Sequence, residues 1–201
     1  MPRFPLKNSL IASVLATVTG AVMMAMPADD AGAAGPNPQV LMKTSLGEIV
    51  IELYPEKAPK SVENFLKYVD DDYYDGLIFH RVIGNFMIQA GGFDKDMKQK
   101  QTRGPIPLES RSGLKNDAGM LAMARTNVPD SATSQFFINT ANNASLNHPS
   151  PDGNGYAVFG KVVKGMETVE KIAKVKTGRS GSHGDVPTEP VLIESVTRVG
   201  N

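Results

Sequence analysis

From Val40 onward, short apolar runs alternate with turn-forming residues, and this punctuation restricts the fold more than any other feature of the chain. Apolar runs of four to eight residues bounded by Gly, Pro, Asn or Asp suit strands and are too short for most helices. With 19 Gly and 14 Pro among 201 residues, breaks are frequent enough to separate many such runs. Strand candidates are Val40–Ser45, Glu48–Tyr54, Leu77–Ile83, Phe86–Ala90, Met120–Ala124, Gln135–Thr140, Tyr156–Val163 and Val191–Val199. The first two flank Gly47 and read as a hairpin with Ile49, Ile51 and Leu53 on one face. Two stretches carry a helical period instead. After Pro59, which suits a first helical turn, Val62, Phe65, Leu66 and Val69 fall at i, i+3, i+4 and i+7. Between about Met166 and Lys174, Met166, Val169, Ile172 and Ala173 share a side. Eight short strands without a parallel βαβ rhythm predict a mainly β fold, a closed eight-stranded antiparallel β-barrel, because closure removes exposed strand edges. A barrel of this size is filled by side chains or holds one small ligand. The bulky Ile, Leu, Met and Phe of these strands argue for a filled interior, which puts function on the outside.

The N-terminal segment obeys a different logic. Arg3 and Lys7 precede a run from Leu10 to Met26 without a charged side chain, and the small residues Ala31-Gly32-Ala33-Ala34 follow. That is the three-part layout of a secretory signal. Cleavage is expected after Ala33, with Ala28 and Ala34 as alternatives. Residues 1–33 then form the signal, 34–39 a short extended lead-in with Pro36 and Pro38, and 40–201 the folded domain. A retained membrane anchor competes, since Leu10 to Ala28 approaches the roughly 20 residues of a spanning helix. Ser13, Thr17, Thr19 and Gly20 dilute that run. The layout points to a periplasmic or secreted protein with no stable membrane association after cleavage.

Composition removes several function classes. Lys+Arg and Asp+Glu both total 21, so the formal net charge is zero and nothing draws the chain globally toward nucleic acid. Cysteine is absent, which excludes disulfides, thiol nucleophiles and thiolate metal sites. No HExxH, P-loop or GxSxG pattern occurs. Asp70-Asp71-Asp72 with Asp75 suggests calcium, but an EF-hand loop would need an oxygen ligand where Tyr73 stands. The run reads as a solvated turn, and Gly91-Gly92 as a bend. His80, lacking a partner at fixed spacing, reads as a structural histidine, while His148 and His183 fall in Pro/Gly/Ser-rich, solvated loops. No metal or cofactor is expected.

The positive signal lies between Phe79 and Tyr156. Two runs joined at Gly84-Asn85 bring Arg81, Phe86, Met87 and Gln89 together, so that one guanidinium stands beside two apolar side chains. Downstream, alternation turns Gln135 and Phe137 one way and Phe136 the other, so one of the paired phenylalanines belongs to the core.

The segments FHRVIGNFMIQAGG, GMLAMA, SATSQFFINT and YAVFGKVVKGMETVEKI, in this order and spacing, resemble the cyclophilin family of peptidyl-prolyl cis-trans isomerases. The resemblance runs from about Val40 to Val199, and its details look most like bacterial periplasmic members. It implies an eight-stranded antiparallel barrel capped by two α-helices, with the active groove on the outer surface. It also implies rotation about X-Pro bonds in unfolded or flexible proline-containing polypeptides, to assist folding of secreted proteins, without a cofactor. By position, Arg81 matches the catalytic arginine. Phe86, Met87 and Phe137 match the floor of the proline pocket, Gln89 and Gln135 match groove amides, and Ala124 and Leu146 fall on groove positions. Arg125 stands where the family often has Asn, Tyr156 where it often has His, and Ser145 where many members carry a tryptophan that binds cyclosporin. The chain contains no tryptophan, so weak cyclosporin binding is expected. A monomer is the default, with no nucleic-acid partner. A proline-peptide binding module without turnover is the alternative.

Overall fold

The computed structural model describes residues 36–149 and 152–200. The expected signal, residues 1–33, lies outside the described residues, as do Ala34 and Gly35 of the expected lead-in. Gln39, assigned to that lead-in, already belongs to the first strand. Strands β1 (Gln39–Thr44) and β2 (Gly47–Leu53) form the expected hairpin in continuous register, with Thr44 opposite Gly47. Gly47 takes φ +138, and a Cβ there would stand 2.6 Å from Thr168 Oγ1, so the turn has no room for a side chain.

Helix α1 (Pro59–Asp70) begins with its proline and buries Val62, Phe65, Leu66 and Val69, the periodic face read from the sequence. Ala58 at its N-cap offers no side-chain acceptor. Glu109 takes that role from a distant loop: its carboxylate accepts the backbone N–H of Lys60 at 3.0 Å, the N–H of Ser61 at 2.8 Å and the Ser61 hydroxyl at 2.7 Å. Otherwise orphaned donors are thereby satisfied by an anion at the positive end of the helix.

The remaining elements are β3 (Arg81–Ile83), β4 (Met87–Ala90), β5 (Met120–Met123), β6 (Phe136–Asn139), β7 (Val158–Lys164), α2 (Met166–Ala173), β8 (Thr177–Ser180), β9 (His183–Pro187) and β10 (Ile193–Arg198). Eight of the strands form one antiparallel sheet in the order β10-β1-β2-β7-β5-β6-β4-β3. The closed barrel expected from the sequence is corrected here to an open, curled half-barrel, since β10 and β3 are not paired as strands. Its ends meet ahead of β3 and at the start of β10, around the isolated bridge Ile78–Leu192, where Phe79 N–H donates to Val191 O at 3.0 Å and Ile193 N–H to Leu77 O at 2.8 Å. Leu77–Phe79 consequently lie outside β3, although the apolar pattern ran through them.

A second sheet, β8–β9, is a separate two-stranded hairpin. Its sequence, rich in Gly, Ser and charge, has no period-two apolar alternation, so it read as loop. His183, expected in a loop, is on a strand, though exposed.

Four central strands are apolar on both faces. Ile88, Ala90, Leu121, Met123, Phe136, Ile138 and Phe159 point into the main core, where Phe65 meets Phe136 edge-on with ring centroids 5.5 Å apart. Met87, Met120, Ala122, Phe137 and Val158 point the other way into a smaller cluster. Strict alternation sorts the paired phenylalanines as expected, with Phe136 in the main core and Phe137 on the outer face. The interior is filled, and the outer cluster is where a groove can form.

Candidate active site

Over that outer cluster lies a pocket of about 250 Å³ lined by Arg81, Phe86, Met87, Gln89, Ala124, Arg125, Phe137, Leu146 and Tyr156. These are the residues singled out from the sequence, with one exception. Gln135 lies beside the pocket, where its Oε1 accepts a hydrogen bond from Gln89 Nε2 at 2.9 Å.

Strand pairing explains the convergence. Arg81 on β3 faces Gln89 on β4, and Gln89 faces Phe137 on β6, so three neighbouring strands present guanidinium, amide and ring on one surface. Met87 and Phe137 are buried as the floor, while Phe86 and Leu146 are half-buried at the sides. The Arg81 guanidinium is half-buried and has no hydrogen-bond or ion-pair partner among the described residues.

Arg125 is differently placed. Its side chain is only 1% exposed and pairs with Asp152; Nε donates to Gly155 O at 3.0 Å and Nη1 to Thr126 O at 2.9 Å. The guanidinium lies 4.6 Å over the Tyr156 ring, which meets Phe137 edge-on at 5.7 Å. This stack fixes one wall, and its cation is already committed to protein partners.

Next to Arg81, His80 is buried, its ring 4.7 Å from that of Phe93 and its Nδ1 without a hydrogen-bond partner among the described residues. Burial, reinforced by the positive charges of His183 and Arg81, lowers its pKa to about 4. A neutral imidazole of this kind suits the structural reading made from the sequence. The pocket therefore combines one free cationic donor with an apolar cup of small-ring size, and it contains no nucleophile paired with a base. Among the described residues no three His, Asp or Glu side chains gather as metal ligands would.

The cyclophilin-type peptidyl-prolyl cis-trans isomerase family matches residues 39–198. The chain belongs to the cyclophilin family. It is 58% identical over 163 residues to the peptidyl-prolyl cis-trans isomerase cyp18 of Streptomyces antibioticus, covering 80% of this chain and 98% of that protein. With peptidyl-prolyl cis-trans isomerase B of Escherichia coli it shares 56% identity over 160 residues, 79% of this chain and 98% of the relative. The crystal structure of a cyclophilin-type isomerase from Cryptosporidium parvum superposes with a TM-score of 0.68 at 27% identity, covering 82% of this chain and 99% of that one. The same protein in the presence of the dipeptide Ala-Pro gives 0.67 at 27% identity, over 81% and 99% of the two chains.

Within this cyclophilin, Ser145 is exposed on a short 3-10 turn, Ala144–Leu146, at the pocket edge. Sequence reasoning missed the polar frame behind that edge. Asn116 and Asn139 are fully buried and Asn143 nearly so. Asn143 Nδ2 donates to Phe86 O and to Asn139 Oδ1, both at 2.7 Å, and Asn139 Nδ2 donates to Met120 O at 3.1 Å. Asn116 Nδ2 donates to Leu146 O at 3.2 Å and Tyr156 O at 3.4 Å, while its backbone N–H donates to Asn147 Oδ1 at 2.7 Å. Phe86, Leu146 and Tyr156 are thus held by their carbonyl oxygens from behind. A scatter of Asn in turn-rich sequence looks like turn chemistry, and only the fold reveals these as buried amides.

Proposed function

We propose that this pocket is the isomerase site, that it binds the proline of an X-Pro segment, and that Arg81 drives rotation about the preceding peptide bond. The observation that carries the reading is a guanidinium without a partner among the described residues on the wall of a pocket of about 250 Å³ floored by apolar side chains. The barrier to be lowered, about 18 to 20 kcal/mol, arises from amide resonance. Twisting the bond breaks that resonance, pyramidalises the proline nitrogen and restores its lone pair as an acceptor. Arg81 donates to that lone pair in the twisted form and finds no equivalent acceptor in the planar one, which is the differential binding that lowers a barrier.

A charge-assisted hydrogen bond contributes about 1.5 to 3 kcal/mol. A rate gain of about 10⁵ needs roughly 7 kcal/mol. The balance falls to the cup: Phe86, Met87 and Phe137 hold the ring, Leu146, Ala124 and the Arg125–Tyr156 wall confine it, and Gln89 with Gln135 orients the peptide while the carbonyl side turns. The low dielectric of the pocket also favours the twisted amide, whose charge separation is smaller than that of the resonant one. No covalent bond breaks, so the step requires neither nucleophile nor cofactor.

The deciding experiment is cis/trans exchange of an Ala-Ala-Pro-Phe-type peptide by NMR, with residues 34–201 and their Arg81→Ala variant. Exchange that is fast in the parent and about 10- to 150-fold slower in the variant supports the assignment. Peptide binding without exchange in either protein would make this a binding module. We further propose that the protein works in the periplasm or is secreted after cleavage near Ala33, as a monomer acting broadly on unfolded chains; the N-terminal mass of the mature protein and its sedimentation check this. With Ser145 at the groove edge and no indole in the chain, cyclosporin should bind weakly, and nanomolar inhibition in a titration would overturn that expectation.

A further inference from the structure

Beside the proline pocket, and sharing Arg81, Gln89 and Arg125 with it, lies a second cavity of about 480 Å³. Its floor includes His80, Phe93 and Gln135, and its outer wall is the β8–β9 hairpin, through His183 and Asp185. The rotation step proposed above uses nothing on that wall. The hairpin is nevertheless shaped to present a side chain. Gly178 pairs with Val186 and Ser180 with His183, so Gly184 and Asp185 together oppose Arg179 alone, and the strand is bulged there. Asp185 takes φ +57, in the left-handed region that aspartate tolerates better than most residues. Bulges beside a groove re-aim side chains.

The charges around the cavity are unequally committed. Arg125 is held by Asp152, Gly155 and Thr126, and Arg81 stands on the boundary with the proline pocket. Asp185 is exposed, and its carboxylate has no hydrogen-bond or ion-pair partner among the described residues. Aromatic faces lead up to it. His80 packs at a tilt against Phe93 at 4.7 Å, and Phe93 meets His183 edge-on at 5.1 Å, which forms an aromatic ramp from the floor to the exposed wall. A long side chain with an apolar stem and a cationic head fits such a ramp ending at a carboxylate.

We infer that the β8–β9 hairpin reads a residue flanking the X-Pro bond and, through Asp185, favours lysine or arginine at that position. This rests on the pocket binding proline peptides, as proposed above. The test uses Ala-Pro peptides that are otherwise uncharged and carry Lys, Ala or Glu at single positions on either side of the X-Pro bond, with kcat/KM read by NMR exchange at pH 8 and low salt.

At one position Lys should exceed Glu by up to about fivefold, the range of a rim ion pair. The preference should shrink to within about twofold in Asp185→Asn, and likewise in 0.5 M NaCl. Asparagine accepts the left-handed backbone, so the variant should keep its fold, its Tm and its rate on the all-alanine peptide. Equal rates for Lys and Glu, a preference for Glu, or a Lys preference that survives Asp185→Asn would overturn the inference. If no peptide is turned over, the isomerase reading fails by itself. The same Lys and Glu comparison, taken as dissociation constants from the NMR titration, then decides the hairpin's role, and absence of binding counts against it.

Discussion

Arg81 and Phe137 face the same pocket, yet truncating them removes different things. Arg81 is half-buried and bonded to no described residue, so Arg81→Ala should leave stability within about 0.5 kcal/mol of the parent. Its kcat/KM should fall about 10- to 150-fold, the equivalent of one charge-assisted hydrogen bond. Phe137 is 4% exposed and packs under the whole outer cluster. Phe137→Ala should cost about 3 to 5 kcal/mol in denaturant unfolding and raise KM as well. Paired unfolding and activity measurements separate the two.

His80 supplies a second residue-level expectation. Its folded pKa of about 4 lies below the ordinary imidazole value of 6.5. The unfolded chain therefore binds the extra proton first as pH falls. The stability associated with a neutral His80 is fully present above about pH 6.5 and is lost between there and pH 4, by about 3 kcal/mol in all. Thermal melts of the parent against His80→Gln across that window should show a slope that the variant lacks. Because neither a neutral His80 nor an arginine changes charge between about pH 5.5 and 8, kcat/KM should be flat there. A steep titration with the fold intact would transfer the catalytic role to an imidazole.

At the scale of elements, the two long-range supports are polar. Glu109 caps α1 from another part of the chain. Glu109→Ala should lower unfolding stability by about 1 to 2 kcal/mol while leaving the rate on neutral peptides intact, because α1 packs on the core side of the sheet. Asn116 touches no proposed substrate group, but it fixes the carbonyl oxygens of Leu146 and Tyr156. Asn116→Ala should cost about 1 to 3 kcal/mol and raise KM more than it lowers kcat, since the walls loosen while the guanidinium stays in place. Neither support was legible in the sequence. A cap contributed from 49 residues away and an amide buried by a loop are products of topology, and local spacing carries no trace of them. The helices themselves were legible because Val62, Phe65, Leu66 and Val69 announce one buried face by their period.

Across the molecule, what period two could report was recovered: the strands, their inward and outward faces, and the side of the sheet on which each phenylalanine falls. The groove residues as a set came from the resemblance to the cyclophilin family; strand pairing brings Arg81, Met87, Gln89 and Phe137 to one surface, and turns and loops bring the others. Two features escaped. The β8–β9 hairpin has almost no apolar side chain to alternate, and whether the end strands β3 and β10 pair is a matter of tertiary register, which local periodicity does not report. Balanced charge has its own consequence at this scale. With a formal charge of zero, turnover of uncharged peptides should change by less than about twofold between 50 and 500 mM NaCl, as measured by exchange NMR.

The floor of the pocket is the reverse side of the main core, because Leu121 and Ile138 point inward from the same short strands that turn Ala122 and Phe137 outward. Such a surface cannot open without breaking the core behind it. Amide protons of β5 and β6 should therefore be among the slowest to exchange with deuterium, with opening energies near that of global unfolding, while those of the β8–β9 hairpin exchange early. The cup that grips the proline would then be the last part of the protein to breathe, and the strap beside it among the first.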